Sequence, residues 1–249
     1  MSRTFKKVHI ILTFYILLSI IVSKYKRKWK GIIETIIDMI FPQVCSICGK
    51  MNTKSLCNKC KIKLEKSFKF QEDNYSKKID KNFVKHYYFF RYEDIIRSQI
   101  LSFKFREKSY IYKTIVSFLE NKQKSFEKLK KYDIILVIPI SKKRKKERGY
   151  NQSALMAKGI SQIISAKVLK NRIYKIKNTV PQSTLNKEQR EKNVKGVYRV
   201  TNIKGLKDKK ILIFDDIYTT GNTVNECARV LVEKGIKKDN IGVLTIAKD

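Results

Sequence analysis

The stretch "ILIFDDIYTTGNT", residues 211–223, constrains the fold of this chain more than any other. Four apolar residues in a row predict a strand that is covered on both faces. Two adjacent acids, Asp215 and Asp216, follow the strand, and a helical pattern begins near Thr223. Strands that alternate with helices build α/β domains with a mainly parallel sheet. The sequence therefore predicts two carboxylates at the carboxyl end of a central strand.

The residues between this strand and its helix have the composition of an anion site. Backbone N–H groups at the start of a helix bind phosphate, and glycine lets the backbone approach the ligand closely. The predicted phosphate loop consists of Thr219, Thr220, Gly221, Asn222 and Thr223. The two acids need a different partner, either sugar hydroxyls or a divalent metal ion. A phosphorylated sugar satisfies both halves of the motif, whereas an acid pair without such a loop would indicate an ordinary capped turn.

Further apolar runs predict the remainder of the sheet. The runs 132–139 and 240–247 have the pattern of buried strands, and 84–92 that of an aromatic strand. The run 151–164 has helical spacing, and 167–176 reads as one more strand.

Four cysteines form a C-x₂-C-x₈-C-x₂-C motif: Cys45, Cys48, Cys57 and Cys60. Two such thiolate pairs suit a closed, tetrahedral, structural Zn²⁺ site, with an iron–sulfur or redox centre as the alternative. The spacing favours a reducing compartment, and we expect the metal to supply much of the folding energy of so small a module. Cys227 shares a helical face with apolar residues, which predicts simple burial.

The charge balance is extreme, with 56 Lys and Arg against 22 Asp and Glu, a formal net charge of +34. Such a field attracts nucleic acid, anionic lipid and polyphosphate ligands. A general bias towards Lys, Ile, Asn and Tyr explains the charge equally well, so charge alone selects no partner.

An apolar run, 8–23, lies between two basic flanks near the start of the chain. A spanning helix needs about 20 apolar residues, with about 17 as the lower bound, so this run is borderline. The larger number of basic residues after it favours a cytoplasmic body. We expect a cytoplasmic protein, with 8–23 a candidate anchor to the inner face of the membrane. A helix packed on the domain and a non-native extension are the alternatives.

These features predict four regions. Residues 1–30 form an N-terminal extension, 31–66 a zinc-binding module, 67–83 a polar connector, and 84–249 an α/β domain.

The stretch 211–223 resembles the phosphoribosyl pyrophosphate motif of type I phosphoribosyltransferases. The stretches "IPISKKRKKERGYNQSALMA", "NTVPQSTLNKEQREKNVKGVY", "RYEDIIRSQILSFKF" and "FPQVCSICGK…CNKC" resemble signatures of the ComF branch of that superfamily. The resemblance covers nearly everything from about residue 31 to 249. It implies a type I phosphoribosyltransferase-like α/β fold after a Cys₄ zinc-ribbon-like module, with the candidate transmembrane segment outside it.

The resemblance also implies a chemistry. Such enzymes transfer ribose 5-phosphate from phosphoribosyl pyrophosphate to a nitrogen acceptor with Mg²⁺ and release pyrophosphate. Asp215 and Asp216 would contact the ribose hydroxyls, and the predicted phosphate loop the 5-phosphate. Ser141, Lys142 and Lys143, with Arg144, occupy the position of the family's pyrophosphate loop. A solvated basic loop is the alternative for that segment.

Two other segments match the family pattern. In 148–152 Asn151 is placed to cap the following helix. The polar segment 179–196 has the length and composition of a lid and carries Gln182, Arg190 and Asn193. Arg190 would neutralise the departing pyrophosphate. The alternative is that these polar side chains are simply exposed to solvent.

No general base stands out, and His86 reads as a core residue of an aromatic strand. ComF-like proteins are associated with competence for DNA uptake. Two functions therefore remain: an active phosphoribosyltransferase with an unidentified acceptor, or a non-catalytic protein. The second would use its basic surface and zinc module to bind single-stranded DNA or proteins of DNA uptake or replication restart.

Overall fold

The computed structural model describes residues 44–51, 56–105, 111–177 and 193–249, except the side chains of 103–105, 142, 143 and 148. The chain divides into two compact units, residues 1–57 and residues 58–249. The predicted extension 1–30, its apolar run 8–23 and the first part of the predicted zinc module lie outside the described residues. Within the described ranges, no helix is both long and apolar enough to cross a membrane.

The second unit is an α/β structure. Its helices are α1 (Asn58–Ser67), α2 (Asp94–Phe105), α3 (Ile111–Glu120), α4 (Lys142–Arg148), α5 (Gln152–Ile164) and α6 (Asn222–Glu233), with 3₁₀ turns at Gln123–Lys131 and Lys238–Asn240. Its strands are β1 (Phe68–Asn74), β2 (Lys85–Arg91), β3 (Ile134–Val137), β4 (Lys167–Leu169), β5 (Ile173–Lys175), β6 (Tyr198–Val200), β7 (Ile211–Tyr218) and β8 (Ile241–Lys248).

Six strands form one sheet in the order β1-β2-β8-β7-β3-β4. Every neighbouring pair is parallel except β1–β2. Strands β5 and β6 form a separate antiparallel ribbon. The predicted fold class, a mainly parallel sheet flanked by helices, is confirmed.

The central strands are apolar without alternation because both faces of the sheet are covered. Residues 211–214 of β7 are fully buried, and 241–247 of β8 are buried throughout. Helices α5 and α6 both pack against β7. A strand in this position can hold polar groups only where it leaves the core, and that is where β7 has its acids.

The segment predicted as a connector, 67–83, instead contributes the edge strand β1. The polar sequence of β1 gives no strand pattern, because an edge strand buries few side chains and tolerates charged ones. Phe68 packs on Phe90 with ring centroids 5.8 Å apart, while Glu72 pairs with Lys85 of β2.

The prediction of one strand over 167–176 is also wrong. Asn171 has a left-handed backbone, with φ at 58°, and it turns the chain between β4 and β5. β4 continues the main sheet beside β3, whereas β5 pairs only with β6. A turn made by a single asparagine scarcely changes the spacing of apolar residues, so the sequence pattern does not reveal it.

Candidate functional site

Asp215 and Asp216 are the fifth and sixth of the eight residues of β7, which ends at Tyr218. Both are half-buried, in contrast to the fully buried residues before them. The strand runs on past the acids rather than stopping at them, because β8 continues to pair with it. Asp215 is the register partner of Thr245 in β8.

The Asp215 carboxylate is held from two sides. Its Oδ1 accepts from the Ser153 hydroxyl at 3.3 Å and from the Asp216 amide at 2.9 Å. Ser153 is the second residue of α5 and is buried. Sequence reasoning missed this contact. The sequence carries no signal for it, because the contact depends on β3 lying beside β7, which brings the first turn of the following helix to the acids.

The predicted pyrophosphate segment meets the acids at the same edge of the sheet. β3 pairs directly with β7, and the Ile138 amide donates to the Phe214 carbonyl at 3.1 Å. The segment is a short helix, α4, rather than the predicted loop. The Ser141 hydroxyl caps it by accepting from the Arg144 amide at 3.2 Å, and Gly149 ends it with φ at 74°.

Lys142 and Lys143 are the first residues of α4, and their side chains lie outside the described part. Asn151 caps α5 as predicted, since its Oδ1 accepts from the Ala154 amide at 3.4 Å. Its Nδ2 donates to the Ile138 carbonyl at 3.2 Å, which ties the start of α5 to the end of β3.

The predicted phosphate loop, 219–223, forms the turn from β7 into α6. Gly221 has φ at 76° and directly precedes the helix, which begins at Asn222. The Asn222 amide lies 3.5 Å from the Thr220 hydroxyl oxygen, the long limit of a hydrogen bond. Thr219 is exposed and Thr223 half-buried. The turn thus combines a helix start, a left-handed glycine and hydroxyl side chains, as an anion site requires.

The ribbon β5–β6 carries two residues with shifted pKa values, Lys175 and Tyr198. Lys175 is the register partner of Tyr198. Burial raises the pKa of Tyr198 well above its usual value, and the negative charge of Asp215 adds to the shift. Burial lowers the pKa of Lys175, and the positive charge of Arg144 adds to that. The charges of Lys175 and Arg144 therefore interact in a partly desolvated region, and the charges of Arg144 and Asp215 both act on the pKa of Tyr198.

Among the three predicted lid residues, Gln182 and Arg190 lie outside the described residues. Asn193 is the first residue described after them, and Gly196 follows in a left-handed turn. The Gly196 amide donates to Oε1 of Glu226 in α6 at 2.8 Å. Glu226 is buried and also accepts from Arg229 at 2.7 and 2.8 Å. The end of the predicted lid is therefore fastened to the helix that follows the phosphate loop.

His86 and Cys227 are both core residues, as predicted. His86 is fully buried, and burial lowers its pKa. Cys227 is fully buried, and burial raises the pKa of its thiol, with a contribution from Asp215. A buried neutral thiol of this kind is inert.

The four predicted metal ligands converge. The sulfurs of Cys45, Cys48, Cys57 and Cys60 all lie within 4.8 Å of one another. All five cysteines of the chain are described, and none forms a disulfide. The Cys48 and Cys57 sulfurs are 3.7 Å apart. Four thiolates at about 2.3 Å from a tetrahedral ion would be separated by about 3.8 Å, so the cluster fits Zn²⁺.

Backbone amides prepare Cys45 for a metal. Burial by itself would raise the pKa of the Cys45 thiol, but hydrogen bonds from the amides of Cys57, Cys48 and Ile47 outweigh it and lower the pKa to about 6. The Cys57 amide lies 3.4 Å from the Cys45 sulfur. Gly49, with φ at 76°, closes the first turn by donating to the Cys45 carbonyl at 2.8 Å.

Residues 126–249 match the family described as the phosphoribosyl transferase domain. The chain is 28% identical to "Competence protein F" of Haemophilus influenzae over 143 residues, which cover 56% of this chain and 62% of that protein. It is 25% identical to "Competence protein ComFC" of Bacillus subtilis over 198 residues, 77% of this chain and 72% of the relative.

A third relative is "DNA utilization protein YhgH" of Escherichia coli strain K12, 29% identical over 103 residues. That match covers 41% of this chain and 44% of the relative. The chain thus spans less than two thirds of the Haemophilus and Escherichia relatives. All three matches are to proteins whose names refer to competence or to the use of DNA.

Proposed function

This chain belongs to the ComF family of the type I phosphoribosyltransferase superfamily, and on that premise we propose that it binds phosphoribosyl pyrophosphate with Mg²⁺. We further propose that it transfers the ribose 5-phosphate to a nitrogen acceptor. The observation that carries the proposal is the convergence of Asp215, the start of α5 and the loop 219–223 at one edge of the sheet. Open α/β sheets bind ligands at that edge.

Each part of the donor has a matching group. The 5-phosphate would bind the amides and hydroxyls of 219–223, and the ribose hydroxyls the carboxylates of Asp215 and Asp216. The pyrophosphate would lie against the cap of α4, where Ser141, Lys142 and Lys143 begin the helix. Asp215 is already oriented by Ser153, so little reorganisation is needed on binding.

The reaction breaks the bond between ribose C1 and pyrophosphate and forms a bond from C1 to the acceptor nitrogen. Negative charge grows on the leaving pyrophosphate, which Mg²⁺ neutralises when bound. Arg144 and Lys175 form a cationic region and would stabilise the same charge. Arg190 is proposed for that role from the predicted lid.

Isothermal titration with phosphoribosyl pyrophosphate and Mg²⁺ tests donor binding. We expect the paired change Asp215→Asn plus Asp216→Asn to weaken binding at least about tenfold, because hydrogen bonds to charged groups contribute about 1.5–3 kcal/mol each. Asp208→Asn plus Asp239→Asn is the matched control, since it removes the same charge from exposed positions.

Equal binding by both double variants, or no heat with the unaltered chain, would remove the donor site. Turnover is tested separately by release of pyrophosphate when nitrogen-containing bases are added one at a time. Donor binding without release for any base would favour the non-catalytic function.

Binding of single-stranded DNA is the second candidate function, and the outer face of the ribbon β5–β6 favours it. Tyr174 and its register partner Arg199 are both exposed, and Ile176 beside them is 48% exposed. Aromatic and cationic side chains on one surface stack on bases and bind phosphates. The name of the Escherichia coli relative refers to DNA utilization.

Fluorescence anisotropy with a labelled single-stranded oligonucleotide tests this surface. Tyr174→Ala is expected to weaken binding by about tenfold, since stacking of one base contributes about 1–3 kcal/mol. Ile79→Ala, at a fully exposed apolar position elsewhere, is the control. Affinity that does not fall with added salt would exclude an electrostatic interface.

We also propose that residues 8–23 attach the protein to the inner face of the cell membrane. Cell fractionation of the full chain and of a chain lacking residues 1–28 tests this. An identical soluble distribution of the two would contradict the anchor.

A further inference from the structure

The side chain of Tyr218 lies directly beneath the phosphate loop. Tyr218 is the last residue of β7 and is buried. A Cβ atom at Gly221 would lie 2.2 Å from the Tyr218 hydroxyl oxygen and 2.4 Å from its Cζ. The ring therefore folds back under the loop and occupies the space that any side chain at position 221 would need. The height of the loop above the sheet is set by this contact.

His86 supports the other side of the Tyr218 ring. The two ring centroids are 4.0 Å apart and the planes are inclined by 21°, a stacked arrangement. His86 is fully buried, and its ring also stacks on Tyr88. An apolar residue would pack there at lower cost, because a buried imidazole must have its nitrogens satisfied.

Both nitrogens of His86 have partners, which fixes the ring in one orientation. Nδ1 lies 3.2 Å from Oδ2 of Asp73, and Nε2 lies 2.9 Å from the Thr245 hydroxyl oxygen. A carboxylate only accepts, so the neutral ring has its proton on Nδ1 and accepts from Thr245 at Nε2. Lys248 holds Asp73 in turn, at 2.9 Å. Three strands, β1, β2 and β8, therefore immobilise one ring.

We propose that Asp73, His86 and Tyr218 form a support that positions the phosphate loop. His86 fixes the Tyr218 ring, and the Tyr218 ring fixes Gly221 and the amides around it. His86 and Asp73 act only through Tyr218 and touch no ligand, so they are positioning residues. The inference rests on the proposed function, because it assigns the loop to the 5-phosphate. It adds a requirement at Tyr218, an unspecified position within the motif 215–223, and at two residues outside that motif.

The support makes a prediction that a purely structural role does not. The 5-phosphate would bind the loop, whereas pyrophosphate would bind at α4, which follows β3 on the side of β7 away from β2 and β8. Loss of the support is therefore expected to weaken ribose 5-phosphate binding and leave inorganic pyrophosphate binding unchanged. General destabilisation of the fold would weaken both.

The variants distinguish the contribution of the His86 ring from that of its hydrogen bonds. His86→Leu removes the ring, and we expect it to weaken ribose 5-phosphate binding by at least about tenfold, since small misplacements of a site are costly. His86→Phe keeps a ring against Tyr218 and is expected to restore most of the affinity. Tyr218→Leu removes the group beneath Gly221 and should match His86→Leu, which keeps the test decisive if one variant fails to fold.

Amide hydrogen exchange of the ligand-free protein provides a readout that does not depend on the proposed function. We expect exchange at 219–223 to accelerate by about tenfold or more in His86→Leu and Tyr218→Leu, and His86→Phe to resemble the unaltered chain. Unchanged exchange in the folded variants, or equal loss of ribose 5-phosphate and pyrophosphate binding, would overturn the support. If the unaltered chain bound neither ligand, the proposed function would fail while the exchange result still decided the support.

Discussion

At the scale of one residue, two separate features of the structure require glycine at position 221. Its φ of 76° is a conformation that side chains disfavour, and the Tyr218 ring leaves no room for a Cβ. Gly205 has the same φ but has nothing within 4 Å of the position of a Cβ. Comparison of Gly221 with Gly205 therefore separates the cost of a left-handed backbone from the cost of a collision with a neighbouring side chain.

We predict that Gly221→Ala abolishes binding of phosphoribosyl pyrophosphate and that Gly205→Ala does not. Both changes should cost about 1–2 kcal/mol of unfolding free energy from the left-handed backbone. Gly221→Ala should cost more, because the loop must also shift away from Tyr218. Urea denaturation and titration calorimetry measure the two effects, and equal behaviour of the variants would contradict the collision.

His86 predicts a dependence of stability on pH. Burial lowers the pKa of His86 below 6.5 in the folded state, so the unfolded chain binds more protons as the pH falls. The contribution of His86 to the free energy of unfolding should therefore be constant above about pH 6.5 and decrease as the pH falls through the folded pKa.

Urea denaturation between pH 5 and 8 measures this loss, and His86→Phe should remove it. The hydrogen bond with His86 lowers the pKa of Asp73 below 3.8, so the contribution of Asp73 is lost only at more acidic pH. If the free energy of unfolding of His86→Phe still decreased between pH 8 and 5, another group would be responsible for the pH dependence.

The motif residues were predictable from the sequence because their chemistry is local. Over 211–223 a buried strand, two acids and a loop with glycine follow one another directly, so each supports the interpretation of the others. The residues that hold them were not predictable. Ser153 and Asp215 are 62 positions apart, and His86 and Thr245 are 159 apart. Only the order of strands in the sheet brings such pairs together.

At the scale of elements, the strands missed by the sequence are those that the core does not dictate. β1 is an edge strand with acids among its aromatics, and β6 is a three-residue strand outside the main sheet. Helix α4 consists almost wholly of basic residues, so it has no apolar stripe to reveal it. Strands β3, β7 and β8 were read correctly because burial on both faces leaves only apolar residues.

The link between α6 and Gly196 gives an element-scale prediction. Glu226→Ala leaves the Gly196 amide and Arg229 without their buried acceptor and should cost about 1–3 kcal/mol of unfolding free energy. Glu233 pairs with the same arginine at an exposed position, so Glu233→Ala should cost less than about 1 kcal/mol. Urea denaturation compares the two, and equal losses would show that the buried acceptor has no special weight.

The cysteine cluster predicts a bound metal. Purified protein should contain about one Zn²⁺ per chain by elemental analysis, and Cys60→Ser should lose it because closed structural sites need all four ligands. Cys227→Ala removes a cysteine outside the cluster and should keep the metal. Metal retained in Cys60→Ser, or lost in both variants, would contradict the assignment.

At the scale of the whole molecule, the net charge of +34 opposes compactness. Like charges repel one another in the folded state, and salt screens that repulsion. We predict that the thermal midpoint rises as sodium chloride is increased from low to moderate concentration. A thermal melt at each salt concentration measures this, and a midpoint independent of salt would mean that local ion pairs already balance the charge.

The position of β8 has a consequence for how the molecule is made. β8 follows every other described strand in sequence, yet it lies between β2 and β7 and pairs Lys85 with Gly242. A nascent chain on the ribosome therefore exposes two open strand edges until β8 arrives. Such high contact order slows folding, and unpaired edges invite aggregation. We therefore expect the sheet to close only once β8 has left the ribosome.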